Sequence, residues 1–151
     1  MGRKRLGDLL IEAGFISTEQ LNFALKEQKF SREKLGQTLV RLRYITEDIL
    51  IGFLGKQHGT SGIDLFKEVI DERAVDMIPR RVAEKYKVIP VGFKLEGRTK
   101  KLIVAMANPS NLEAIDTVAF ITGYSIDPIF AREEHLEWII RHYYNKRWEL
   151  K

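Results

Sequence analysis

Residues 5–57 carry one pattern written twice, and an internal repeat constrains a fold more than any single motif. The first copy spans residues 5–28 and the second residues 34–57, at a constant offset of 29 without a gap. Seven of the 24 aligned positions are identical: Leu6/Leu35, Gly7/Gly36, Leu10/Leu39, Ile16/Ile45, Leu21/Leu50, Leu25/Leu54 and Gln28/Gln57. Arg5/Lys34, Ile11/Val40, Phe15/Tyr44, Ser17/Thr46 and Glu19/Asp48 are close substitutions. Two copies describe a pseudo-symmetric pair, too few for a solenoid.

Each copy reads as a short helix, a tight turn and a longer helix. Leu6, Leu10 and Ala13 recur at helical spacing, and Gly14 stands where a left-handed residue ends a helix. Ser17 then reads as an N-cap, with Gln20 completing a capping box and Ile16 and Leu21 placed to form a hydrophobic staple. The second copy keeps the cap as Thr46 and the staple as Ile45 and Leu50, with Glu47 and Asp48 in the first turn, where the helix dipole favours acid.

Two details exceed what packing requires. Leu21, Leu25 and Gln28 share one helix face, as do Leu50, Leu54 and Gln57, so both copies end an apolar stripe with an amide. Arg5 and Lys34 stand just before a helix start, a place unfavourable to a cation unless an anion shares it. Gly7 and Gly36 follow and leave room for another backbone or a ligand. A cation, exposed N–H groups and a missing side chain describe a phosphate site. Two such sites suit a ligand with two phosphates and two bases, with leucines against the rings and glutamines at their edges. The alternative reading makes the leucines ordinary core and the glycines close helix crossings.

The runs RLGDLLIEAGFISTEQLNFALKEQ and KLGQTLVRLRYITEDILIGFLGKQ resemble the paired motifs of the MshEN domain. That domain forms the N-terminal region of many type II secretion and type IV pilus assembly ATPases, and a subset binds cyclic di-GMP. The resemblance continues in IDLFKEVIDERAVDMIPRRVAEKYKVIPV, LIVAMANPSNLEAIDTVAFITGYSIDPIFA and IRHYY, and so covers nearly the whole chain. It implies ligand contacts at Arg5, Leu6, Gly7, Leu21, Leu25 and Gln28, and at Lys34, Leu35, Gly36, Leu50, Leu54 and Gln57. Lys34 replaces a common arginine and loses its bidentate fork. Arg43 replaces the Gly14 of the first copy, where a left-handed backbone costs a non-glycine residue about 1 kcal/mol.

The resemblance implies a non-catalytic regulatory and docking domain that binds cyclic di-GMP. Its partners would be a secretion or pilus ATPase domain, in cis or in trans, and an inner-membrane platform component. The alternative is a protein–protein adaptor that docks the ATPase to that platform without a nucleotide.

The mean composition, 44% hydrophobic and 30% charged over 151 residues, is that of a globular protein long enough to bury a core. No apolar run approaches a membrane span and no signal pattern precedes Arg5, so direct membrane insertion is not expected and a cytoplasmic location is. Absence of cysteine excludes disulfides and thiolate chemistry. The net charge of +4 is spread as +3 over residues 1–62 and +1 over 63–151, with no basic stripe for a nucleic-acid polymer.

The expected organisation is a helical subdomain over residues 1–58, a linker over 59–62 and an α+β subdomain over 63–151. Met1–Lys4 reads as a frayed lead-in and residues 29–33 as a short polar joint. After the linker come an extended piece at Ile63–Phe66, a helix over Asp71–Ile78 and another over Arg80–Tyr86 opened by Pro79. Strands are expected over Val88–Phe93 and Leu102–Met106, joined at Glu96-Gly97-Arg98. A helix over Leu112–Thr122 capped by Asn111 follows, then a strand over Tyr124–Phe130 and a helix over Glu133–Tyr144. The order is that of an α+β fold.

No G-x-x-x-x-G-K-[ST] occurs, so no P-loop is present in this sequence. His58, His135 and His142 form no ligand-spaced set, and the last two read as surface residues of one helix, so no metal is expected. Glu133-Glu134 reads as a helix start and not as a catalytic dyad. Asn108–Asn111 reads as a turn and cap or as a binding loop at a strand end, and Arg80-Arg81 and Lys100-Lys101 as solvated faces. Trp138 has no evident place in this scheme, and Trp148 suits either a contact with a partner or absent domain or packing on its own helix.

Overall fold

A computed structural model describes residues 5–149, with side chains described through Asn145. The frayed lead-in expected at Met1–Lys4 and the Trp148 side chain lie outside the described residues. The repeat folds into four helices: α1 (Leu6–Glu12), α2 (Thr18–Ser31), α3 (Leu35–Arg41) and α4 (Glu47–Gln57). The helices pack across the copies, α1 on α4 and α2 on α3. Leu10, Leu39 and Leu50 are fully buried at the centre of their apolar cluster.

The local chemistry explains the helix ends. Ser17 Oγ accepts from Gln20 N at 3.1 Å while Gln20 Oε1 accepts from Ser17 N at 2.9 Å, the reciprocal capping box. Thr46 accepts from Ile49 N at 3.2 Å. Gly14, at φ +80°, closes α1 through Gly14 N–Ile11 O and Phe15 N–Leu10 O bonds of 3.0 Å each. Arg43, at φ +63°, closes α3 with the equivalent bonds to Val40 and Leu39, at 2.9 and 3.0 Å. The arginine therefore preserves the turn, carrying its left-handed strain. Residues 29–33 are less of a joint than expected, since α2 runs to Ser31 and ends at left-handed Arg32.

The remainder is built from α5 (Glu72–Val75), α6 (Arg80–Tyr86), β1 (Val88–Glu96), β2 (Thr99–Met106), α7 (Leu112–Thr122), β3 (Ser125–Phe130) and α8 (Glu133–Glu149). The sheet order is β1-β2-β3, with β1 and β2 antiparallel about Gly97 and β3 parallel to β2 after the α7 crossover. A bulge at Val91 shifts the register between Pro90 and Gly92. Helices α5, α6 and α8 pack on the β1–β2 pair, around a second apolar cluster that includes Leu65, Ile89, Leu102, Met106 and Leu136. The chain has an α+β fold.

Three expectations need correction. The helix expected over Asp71–Ile78 is only Glu72–Val75: Asp71 caps it, but Met77 and Ile78 bond three residues back, and Ile78 precedes Pro79, which disfavours helical backbone there. The extended piece at Ile63–Phe66 is instead a single bridge at Gly62 followed by a turn, which Asp64 sets by accepting from Phe66 N at 3.0 Å. The last helix continues past Tyr144 to Glu149, with no Gly or Pro to stop it.

Residues 59–62, expected as a linker, are held on both sides. Ser61 O accepts from Phe130 N at 2.9 Å and Ile63 N donates to Phe130 O at 2.8 Å, which adds this segment to the edge of β3. On its other side Gly62 lies against α4, where a β-carbon would stand 2.6 Å from Ile51 O.

Candidate functional site

A cavity of about 360 Å³ lies where the second repeat meets the sheet. From the second repeat come Lys34, Gly36, Gln37, Leu50 and Leu54, and from the C-cap of α4 comes His58. From the other side come Ala107 and Asn108 after β2, Phe130 at the end of β3, and Arg132, Glu133 and Glu134 at the start of α8. The volume is at the low end of ordinary ligand pockets.

Four of the six positions expected in the second copy thus line one cavity; Leu35 and Gln57 do not. The first-copy residues do not line it either. Arg5 is exposed at the N-cap of α1, Leu6 is buried, Leu25 is 39% exposed and Gln28 is half-buried. The glycines are not open as the phosphate reading expects. A β-carbon on Gly7 would stand 2.8 Å from Leu21 Cδ1, and one on Gly36 2.5 Å from Leu50 Cδ1, so leucine side chains fill the space beside both.

Lys34 caps α3 with no side-chain bond to its own helix. Its ammonium reaches Glu133 at 3.5 Å and Glu134 at 3.4 Å. Burial would raise the Glu134 pKa, but its own backbone N–H, Lys34 and Arg132 outweigh that and hold it below the ordinary carboxylate value. Arg132 is only 7% exposed. Its guanidinium bonds Glu47, Gln37 Oε1 at 2.6 Å and, more loosely, Glu134 at 3.5 Å.

The expectation that His135 is a surface residue is wrong. It is buried, with Nε2 3.1 Å from Glu47 Oε1 and the Phe66 ring 4.4 Å from its own. Residues from α4 and the 64–66 turn cover a position that helical spacing alone would leave on the surface. Nδ1 lies 3.9 Å from Asp64 and has no hydrogen-bond partner. Burial lowers the His135 pKa, against the opposing pull of Glu47. His142 is exposed, stacked 3.9 Å from Trp138, which also meets Phe66 edge-on at 5.4 Å.

Sequence reasoning missed Arg132, Gln37 and the stacking of His58 on Phe130 at 5.1 Å. A signal existed for the first: Arg132 stands immediately before a helix, as Arg5 and Lys34 do. Asn108 lines the cavity and also accepts from Ser110 N at 3.2 Å, so turn and cavity wall coincide. Asn111 caps α7 by accepting from Ala114 N. Among the described residues no group of metal-ligating side chains is present, and no helix is long and apolar enough to cross a membrane.

A family model described as the MshEN domain matches residues 58–148, from the C-cap of α4 through the α+β part. The type IV pilus assembly ATPase PilB of Myxococcus xanthus is 37% identical over 143 residues, covering 95% of this chain and 25% of PilB. The corresponding ATPase of Thermus thermophilus is 28% identical over 128 residues, 85% of this chain and 14% of its own. The chain spans a quarter or less of the length of these relatives. A solved structure of MshE with cdg has a TM-score of 0.63 and 34% identity, covering 93% of this chain and 99% of that one, so the likeness extends over the repeat as well as the sheet. The chain belongs to the MshEN domain family.

Proposed function

We propose that this chain is a non-catalytic, cytoplasmic sensing and docking domain that binds cyclic di-GMP through its two repeat copies. One observation carries the reading: Lys34, Gly36, Leu50 and Leu54, chosen as ligand contacts, meet in one cavity with a cation beside apolar walls. Lys34 supplies charge for a phosphate, and half-buried Leu54 supplies a face for a base ring, backed by the buried Leu50. Arg5, Leu6, Gly7, Leu21, Leu25 and Gln28 form the second half-site, with Leu35 and Gln57 supporting the first. The similarity to MshE, whose solved structure contains cdg (cyclic di-GMP), supports the same ligand.

The cavity walls come from both apolar clusters, so a ligand held there touches the helical and the α+β parts together. Occupancy would favour one arrangement of the two, and a pilus or secretion ATPase domain in cis or in trans, or an inner-membrane platform component, would read it.

Calorimetric titration of cyclic di-GMP, with GMP and ATP as controls, tests this. Selective binding near one ligand per chain, weakened by Arg5→Ala and by Gln28→Ala, is expected. No heat at high protein concentration would overturn the ligand reading and leave a nucleotide-free docking adaptor.

A further inference from the structure

The cation assigned to a phosphate is not idle. Lys34 already holds two carboxylates, 3.5 Å from Glu133 and 3.4 Å from Glu134, and all three side chains line the cavity beside Leu50 and Leu54. A carboxylate is an oxyanion that takes the same N–H donors as a phosphate. We propose that Glu133 and Glu134 form a built-in anionic clamp that occupies Lys34 in place of phosphate and sets the ligand affinity of the second repeat. The proposal rests on the ligand reading above.

Both acids belong to the first turn of α8, whereas Lys34 precedes α3, so the clamp joins the two apolar clusters. The helix dipole explains why acids suit the start of α8. It does not explain why both turn to a lysine from another element. Once a phosphate takes Lys34, two carboxylates and a phosphate would crowd one cavity mouth, and like charges a few ångströms apart repel. The Glu133 and Glu134 side chains are 44% and 52% exposed, which leaves them room to swing into water. Arg132 is different: its bonds to Glu47 and Gln37 keep it in place whether or not the clamp is closed.

The test compares cyclic di-GMP titrations of the wild type, Glu133→Gln, Glu134→Gln, the double variant, Lys34→Ala and the double variant with Lys34→Ala, at low and high salt. The double variant is expected to bind about two- to thirty-fold more tightly at low salt, the range spanned by two exposed ion pairs. That gain shrinks at high salt and disappears when Lys34 is removed. Equal or weaker binding by the glutamine variants, with a wild type that binds, overturns the clamp and leaves the ligand reading standing. Absence of binding by every variant removes both.

Discussion

Leu50 lies directly over Gly36, its Cδ1 2.5 Å from where a β-carbon on that residue would stand. Leu21 bears the same relation to Gly7 at 2.8 Å. The repeat thus keeps one packing device in both copies, a leucine of the long helix seated in a notch of the short one. The two notches differ in how far they can give, because Leu50 is fully buried while Leu21 is half-buried.

Gly36→Ala is therefore expected to destabilise the protein by about 2 kcal/mol through overpacking. Gly7→Ala should cost less than about 1 kcal/mol, since Leu21 can move and alanine favours the helix. Urea unfolding midpoints of the two variants check the order.

Gly62 meets the backbone of α4 as well as the Ile51 side chain. A β-carbon there would stand 2.6 Å from Ile51 O, and one on Gly55 2.9 Å from Gly62 N. Gly62→Ala should cost about 3 kcal/mol, because neither α4 nor the pairing with Phe130 can give way. The same urea series measures it, with Gly52→Ala as the comparison for a glycine with open space around it.

The Arg132–Glu47 pair should respond asymmetrically. Glu47→Ala strands a buried guanidinium and is expected to cost about 2–4 kcal/mol. Arg132→Met leaves a carboxylate whose side chain is 26% exposed and still faces His135, and should cost about 1 kcal/mol. Chemical denaturation of both variants, with the double variant to complete the cycle, reads the difference.

His135 should make stability fall in mildly acid solution. It faces Glu47, Asp64, Arg132 and Glu134, and burial holds its pKa below the ordinary 6.5. As pH falls the unfolded chain takes the proton first, so the contribution is complete above 6.5 and declines through that value toward the folded pKa. Urea midpoints from about pH 7.5 to about pH 5.5 should drop in the wild type and flatten in His135→Gln.

Much of the fold is written locally. The Ser17–Gln20 box, the Asn111 cap and the left-handed positions Gly14 and Gly123 each depend on a few neighbouring residues, and a linear reading finds them. The site is different. Arg132 meets Glu47 across 85 residues, and His135 is covered by elements far away in sequence. Helical spacing shows which face a residue occupies and cannot show what another element lays over it. Gly62 was legible as a glycine but not as a contact, because flexibility and close approach call for the same residue.

If both repeat copies engage one ligand, a cyclic di-GMP titration followed by leucine-methyl NMR, with Leu21, Leu25, Leu50 and Leu54 assigned by substitution, will show it. Methyl signals from all four are expected to shift together and saturate at one ligand per chain. Shifts confined to Leu50 and Leu54, or none at saturating ligand, would mean that the two copies do not share a ligand.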